Sequence, residues 1–151
     1  MSGRIAPGAN GRWISYDYAI LRVVPHVHLG TFVPVGVMLH ARTAEFLGMR
    51  VVVDEEELSA RIVGLDPQLL ARYLRSCRAV CDGDVSGGPV ALAPPSERFH
   101  WLTAPRSDVI QSSPVHSGMC EDPATTLDEL FTRFIGESSD ARRRDSGYRD
   151  R

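Results

Sequence analysis

WISYDYAILRVVP, residues 13–25, decides the fold. Its aromatic and β-branched residues predict a strand, and Pro25 closes it. Successive side chains of a strand face opposite ways, and the centre of this one is apolar on both faces. Such a strand belongs inside a sheet, with a neighbour along each edge.

HVHLGT predicts a turn, and FVPVGVMLHAR, residues 32–42, predicts a second strand with Val33, Val35, Val37 and Leu39 on one face. Pro34 lacks an N–H and Gly36 lacks a side chain, so this strand is expected to be an edge there or to carry a bulge. FLGMRVVVD, residues 46–54, alternates again and predicts a third strand. Short links between the three predict an antiparallel meander.

Helices are expected beyond it. Asp66-Pro67 is a start signal, with a capping carboxylate and a proline where its missing N–H costs nothing. Leu70, Tyr73, Leu74, Cys77 and Cys81 then recur at helical spacing up to Asp82-Gly83. Asp122-Pro123 repeats the signal, followed by a Leu127, Leu130, Phe131, Phe134 stripe that Gly136 stops. A shorter helix is expected over 55–64 and a turn-rich surface loop over 82–96. The expected fold is α+β, a single domain over residues 13–136. An antiparallel sheet carries two main helices, 66–82 and 123–135, with further short strands within 98–118. The Gly- and Pro-rich residues 1–12 and the charged residues 137–151 have little to bury, which predicts disorder at both ends.

The chain has 151 residues, 43% of them hydrophobic, and a formal charge of −2. That size suits one domain with one core. The charge gives no broad reason to bind nucleic acid, which needs a basic face. Arg142, Arg143 and Arg144 are interspersed with Asp140, Asp145 and Asp150, the pattern of a solvated tail. With no long apolar run and no apolar leader after Met1, the expected location is the cytoplasm, with no membrane association. All 17 basic residues are arginine. Lysine Schiff-base and P-loop chemistry are therefore absent from this chain.

Residues 98–123, RFHWLTAPRSDVIQSSPVHSGMCEDP, show neither period. Phe99, Trp101, Val109, Ile110 and Val115 supply apolar anchors. Between them stand Arg98, His100, Arg106, Ser107, Gln111, Ser113, His116 and Cys120, the candidate binding residues together with Arg22. An arginine inside an apolar strand needs a partner, so Arg22 is expected to reach Asp17, Asp54 or a ligand. Guanidinium forks match carboxylate and phosphate oxygens, which makes a small anionic ligand one expected partner.

Two classes of function fit this set. In the first, the 98–120 surface of a non-enzymatic binding or accessory module engages a protein or a small anion. In the second, a hydrolase or transferase uses His100, His116 and Cys120, with Cys120 or Ser113 as nucleophile and a histidine as its base. Against the second, no GxSxG elbow or phosphatase loop is present. The same polar residues would also serve an ordered loop by bonding its open backbone carbonyls. Catalytic residues stay unassigned, and no cofactor is expected. No metal site is expected either, because His26 and His28 lack a third ligand at sensible spacing and the cysteines form no CxxC pair.

The stretches YDYAILRVVP, VGVML, DPQLLA and above all ERFHWLTAPRSDVIQSSPVHSGMCEDP resemble a bacterial family, the domain of unknown function numbered 3037. The resemblance spans most of residues 15–136 and implies no activity. It does imply a protein partner of kinase-like type, because such genes often neighbour the family's.

Overall fold

A computed structural model describes residues 12–25, 30–106 and 108–136. Strands β1 (Ile14–Val23), β2 (Val33–Ala41) and β3 (Phe46–Val51) are followed by helices α1 (Glu55–Arg61), α2 (Pro67–Asp82) and α3 (Pro95–Thr103). Two short strands, β4 (Ile110–Ser112) and β5 (His116–Cys120), then lead into helix α4 (Pro123–Phe134). His26, His28, Ser107 and the segments 1–11 and 137–151 lie outside the described residues.

The sheet is antiparallel throughout, and β1 is its axis. On one edge β1 pairs with β2, which pairs with β3, giving the expected meander. On the other edge β4 and β5 share the length of β1, with Val23 opposite Ile110 and Ile14 opposite Cys120. The bulge anticipated around Pro34 and Gly36 is present, because the β1–β2 register shifts between Leu21 and Arg22. Pairing with β3 ends at Gly36, after which the Val52 N–H still donates to the Val35 carbonyl at 2.9 Å. Pro34 thus sits where no third strand asks for its N–H.

Each face of the sheet has its own helices. The row Tyr18–Leu39–Gly48 and the row Ile20–Val37–Arg50 face α4. Phe134 meets the Tyr18 ring at 6.0 Å, Phe131 lies 4.3 Å from the Arg50 guanidinium, and a Cβ on Gly48 would reach Leu127. The rows Ala19–Met38–Met49 and Asp17–His40–Leu47 point the other way. There His40 is buried against Phe99 of α3, ring to ring at 5.3 Å, and α2 lies alongside. Both apolar layers join in one core.

Local chemistry sets the helix ends. Asp66 accepts the Gln68 N–H at 3.0 Å, Pro67 opens α2, and Gly83 stops it at φ +73. Asp54 caps α1 by accepting the Glu57 N–H. At the other end of α1, Arg61 bonds Glu57 at 2.9 Å and reaches the Ile135 carbonyl, tying α1 to the end of α4.

Two expectations need correction. Residues 95–103 are helical, not aperiodic and not strand, so the expected strands within 98–118 begin only at Ile110. The helix starts at Pro94-Pro95 and buries just Phe99 and Leu102, too few positions to show a period. Within 82–96, the loop winds into two short 3-10 turns, Val85–Gly87 and Pro89–Leu92, and buries Ala91.

Gly36 is held by close approach: a Cβ there would lie 2.8 Å from the Arg50 carbonyl oxygen and 3.0 Å from the Val51 side chain. Gly36→Ala is expected to cost about 1–3 kcal/mol by overpacking. Urea denaturation checks this, and an unchanged midpoint would mean that β2 and β3 are less closely apposed than described.

Candidate functional site

The sheet divides the nine candidate residues. Arg22, Gln111 and His116 belong to its α4 face, where Arg22 is the register partner of Gln111 and Tyr18 that of His116. The His116 ring packs 5.4 Å from that of Tyr18 and is otherwise exposed. Arg98, His100 and Arg106 belong to α3 and the turn after it, on the opposite side. Ser113 is buried in the sheet, Cys120 is buried at its foot, and Ser107 is outside the described residues.

Arg22 meets neither of the carboxylates expected for it. Asp17 accepts the Ser117 hydroxyl at 2.6 Å, and Asp54 caps α1. The Arg22 guanidinium instead lies 4.3 Å from the centre of the Phe32 ring. A cation over a ring face gains electrostatic energy from the ring quadrupole. Its Nε is buried with no hydrogen-bond partner.

Most of the other polar residues are engaged by backbone. Arg98 donates to the Ala93 carbonyl at 2.7 Å and to the Cys81 carbonyl at 3.4 Å, clasping α3 to the end of α2. Gln111 donates to the Asp108 carbonyl at 2.8 Å. Ser113 occupies the break between β4 and β5, where Pro114 has no N–H to offer. Its N–H donates to the Ile20 carbonyl and its Oγ accepts the Ile20 N–H, both at 2.8 Å. Its hydroxyl proton goes to the Pro114 carbonyl at 2.9 Å. A hydroxyl so placed maintains a bulge, and its proton is directed to a backbone carbonyl and not to a base.

The geometry does not assemble the hydrolase or transferase set. His100 and His116 stand on opposite sides of the sheet. His116 and Cys120 share a face but lie four residues apart along a strand, about 13 Å. Burial pushes the Cys120 thiol up, the Thr126 hydrogen bond works against that, and Asp122 and Glu129 push it further up. Burial likewise raises Cys77, and raises Cys81 to about 12. The sheet also separates Cys77 and Cys81 from Cys120.

One part of the quoted segment does form a shaped surface. Arg106 folds back over Trp101 with its guanidinium 4.3 Å from the ring centre, and its Nη2 donates to the Trp101 carbonyl at 2.6 Å. That carbonyl is at the end of α3, where a cation complements the helix dipole. Trp101 is 40% exposed and Tyr73 of α2 is 51% exposed. Between them opens a cleft of about 250 Å³, lined also by Cys77, Arg106 and Asp108. The sequence assigned both rings to the core: Tyr73 keeps the helical stripe and Trp101 sits among apolar anchors. The only signal against that was their large area and polar tips, which favour half-exposed sites.

Among the described residues no group of three or more His, Cys, Asp or Glu could hold a metal ion. Nor is any described helix long and apolar enough to cross a membrane. In comparisons with known proteins, the model of a family described as a protein of unknown function (DUF3037) matches residues 18–135. No curated protein and no solved structure matches.

Two measurements check this assignment of roles. Ser113→Ala leaves the part-buried Ile20 N–H without its acceptor and is expected to cost about 1–3 kcal/mol in denaturant unfolding; a neutral change would remove the bulge role. For Cys81 the folded state holds the thiol proton more tightly than an ordinary thiol at 9.0. Its contribution to stability is thus intact below that pH and is lost as pH rises through about 12. Cys81→Ser is expected to flatten the alkaline fall of the unfolding free energy, and an identical slope would contradict the burial.

Proposed function

The chain belongs to the family described as a protein of unknown function, DUF3037, and for this member we propose a non-enzymatic binding module that docks a protein partner on the Tyr73–Trp101–Arg106 surface. The observation that carries the reading is the stacked Trp101–Arg106 pair, half open to solvent beside a second open ring. Trp, Tyr and Arg are the residues that most often dominate interface energies. A guanidinium already held by a ring and a carbonyl loses less freedom on binding than a free one.

The partner's chemistry follows from the same residues. The cleft offers an apolar floor for a side chain, while Arg106 is bonded to a carbonyl and not to a carboxylate among the described residues. Leu69, one turn before Tyr73, is 40% exposed, and Arg72 stands between them on α2. A partner segment with an apolar anchor flanked by carboxylates suits this surface. The kinase-like protein that the family resemblance implies is the first one to test.

The experiment mixes the purified chain with a kinase-like protein of the type that the family resemblance implies and measures affinity by calorimetry. Trp101→Ala with Arg106→Ala, shown folded by circular dichroism, is expected to weaken binding at least about 30-fold, given roughly 2 kcal/mol for a hot spot. His116→Ala, on the opposite face, is expected to leave it unchanged. The reverse pattern would move the surface to the α4 face, and the absence of any complex would overturn the reading.

A further inference from the structure

Two edges bound the sheet, β3 on one side and β4 with β5 on the other. β3 has α2 and α4 packed against it and no exposed residue. On β5, by contrast, His116, Ser117 and Met119 are exposed, as is Val115 just before it. Among the described residues β5 pairs with β1 alone. This edge shares no residue with the Trp101–Arg106 surface, and its argument stands apart from the docking proposal.

Backbone alternation fixes which groups the edge presents. Ser113 bonds both the N–H and the carbonyl of Ile20, so Ile20 turns toward this side of β1. Bonded and unbonded residues alternate along an antiparallel ladder, so Tyr18, Tyr16 and Ile14 turn the same way. Their register partners His116, Gly118 and Cys120 therefore bond β1. Val115, Ser117 and Met119 direct N–H and C=O outward, where no described strand receives them. Natural edges are usually guarded by charge, proline, a bulge or a cover. Residues 115–120, VHSGMC, hold no Arg, Asp, Glu or Pro.

Residues 115–119 also complement their own reverse. A twofold axis through Ser117 sets Val115 opposite Met119 of a second copy and His116 opposite its Gly118. Each outward N–H of 115, 117 and 119 then meets a carbonyl of the other copy. On one face the half-exposed Val115 and Met119 cover each other. On the other, glycine leaves room for the incoming imidazole, and Tyr16 leans over it with its hydroxyl 2.6 Å from where a Cβ would stand. Imidazole and phenol can share a hydrogen bond there. Charge does not oppose the approach. Glu129 and Arg133, which both act on Tyr16, have opposite signs. Asp17, bonded by Ser117, stays behind on β1. Three strand spacings, about 14 Å, would separate the two Asp17 residues, beyond the screening length of roughly 8 Å in physiological salt.

We propose that the chain forms a twofold dimer by antiparallel pairing of β5 with β5 of a second copy, joining two sheets into one. The match between 115–119 and its own reverse selects a second copy over a foreign strand. So short a ladder buries less than the roughly 1,200 Å² of a standard stable interface, which makes the dimer reversible and dependent on concentration.

Sedimentation equilibrium of the full chain, from about 10 µM to about 500 µM, is expected to show monomer and dimer in exchange. Val115→Glu and Met119→Lys, both at exposed positions, are each expected to weaken the dimer at least about fivefold. Combined, they are expected to restore it, because the axis sets each new charge opposite the other. Within one copy the two positions stand about 13 Å apart and cannot pair. Circular dichroism checks that each variant is folded. Should one of them fail to fold, Ser117→Pro serves, since it removes an outward N–H that β1 does not use, and a monomer is expected. A monomer at every concentration of the unaltered chain would overturn the proposal. So would a dimer indifferent to the folded variants, or a double variant no tighter than the single ones.

Discussion

Everything in this fold depends on β1 being paired along both edges. A strand buried in this way must find a partner for every inward and outward N–H and C=O. β2 satisfies one edge, whereas the other is divided between β4 and β5. Neither short strand would be stable alone. Their order comes from β1, and the Ser113 hydroxyl bridges the residue where their registers fail to meet. The 98–120 segment is thus not a loop laid over a finished domain. It completes the sheet.

That constraint also decides what the segment can do. Because its chain leaves α3 on one side and enters the sheet edge, its side chains are dealt to two opposite surfaces. Residues adjacent in sequence then cannot converge on one reacting atom, which general acid–base chemistry requires. A docking surface makes no such demand. It needs area, shape and a few ordered aromatic and guanidinium groups, and α2 and α3 provide these from two sides of one cleft.

How much of this was legible follows from the length of each pattern. Ten residues of β1 and sixteen of α2 repeat their period often enough to be read, and the Asp-Pro pairs at 66 and 122 place helix starts within a residue. α3 buries two side chains and shows no period, so it was hidden. Splitting a polar cluster across a sheet is likewise invisible in sequence, since it depends on which edge of β1 was left open. Trp13 reads as the first residue of a strand, and no pattern in the sequence singles out Glu121. Only packing shows that each has a buried atom with no partner.

Arginine helps to hold α3 and the turn after it in place. Arg98 and Arg106 each give hydrogen bonds to carbonyls at helix ends or turns, groups that a regular strand or helix would satisfy by itself. Such bonds hold the backbone but leave most of the guanidinium's charge uncompensated, because a carbonyl carries no net charge. Arg98 is enclosed between α3 and the end of α2, where Gly83 lies against it. Arg106 differs in having its second contact with an exposed ring. The same residue therefore closes the C-terminal end of α3 and leaves a fixed cation beside an exposed ring, so that one side chain holds the backbone and shapes the surface.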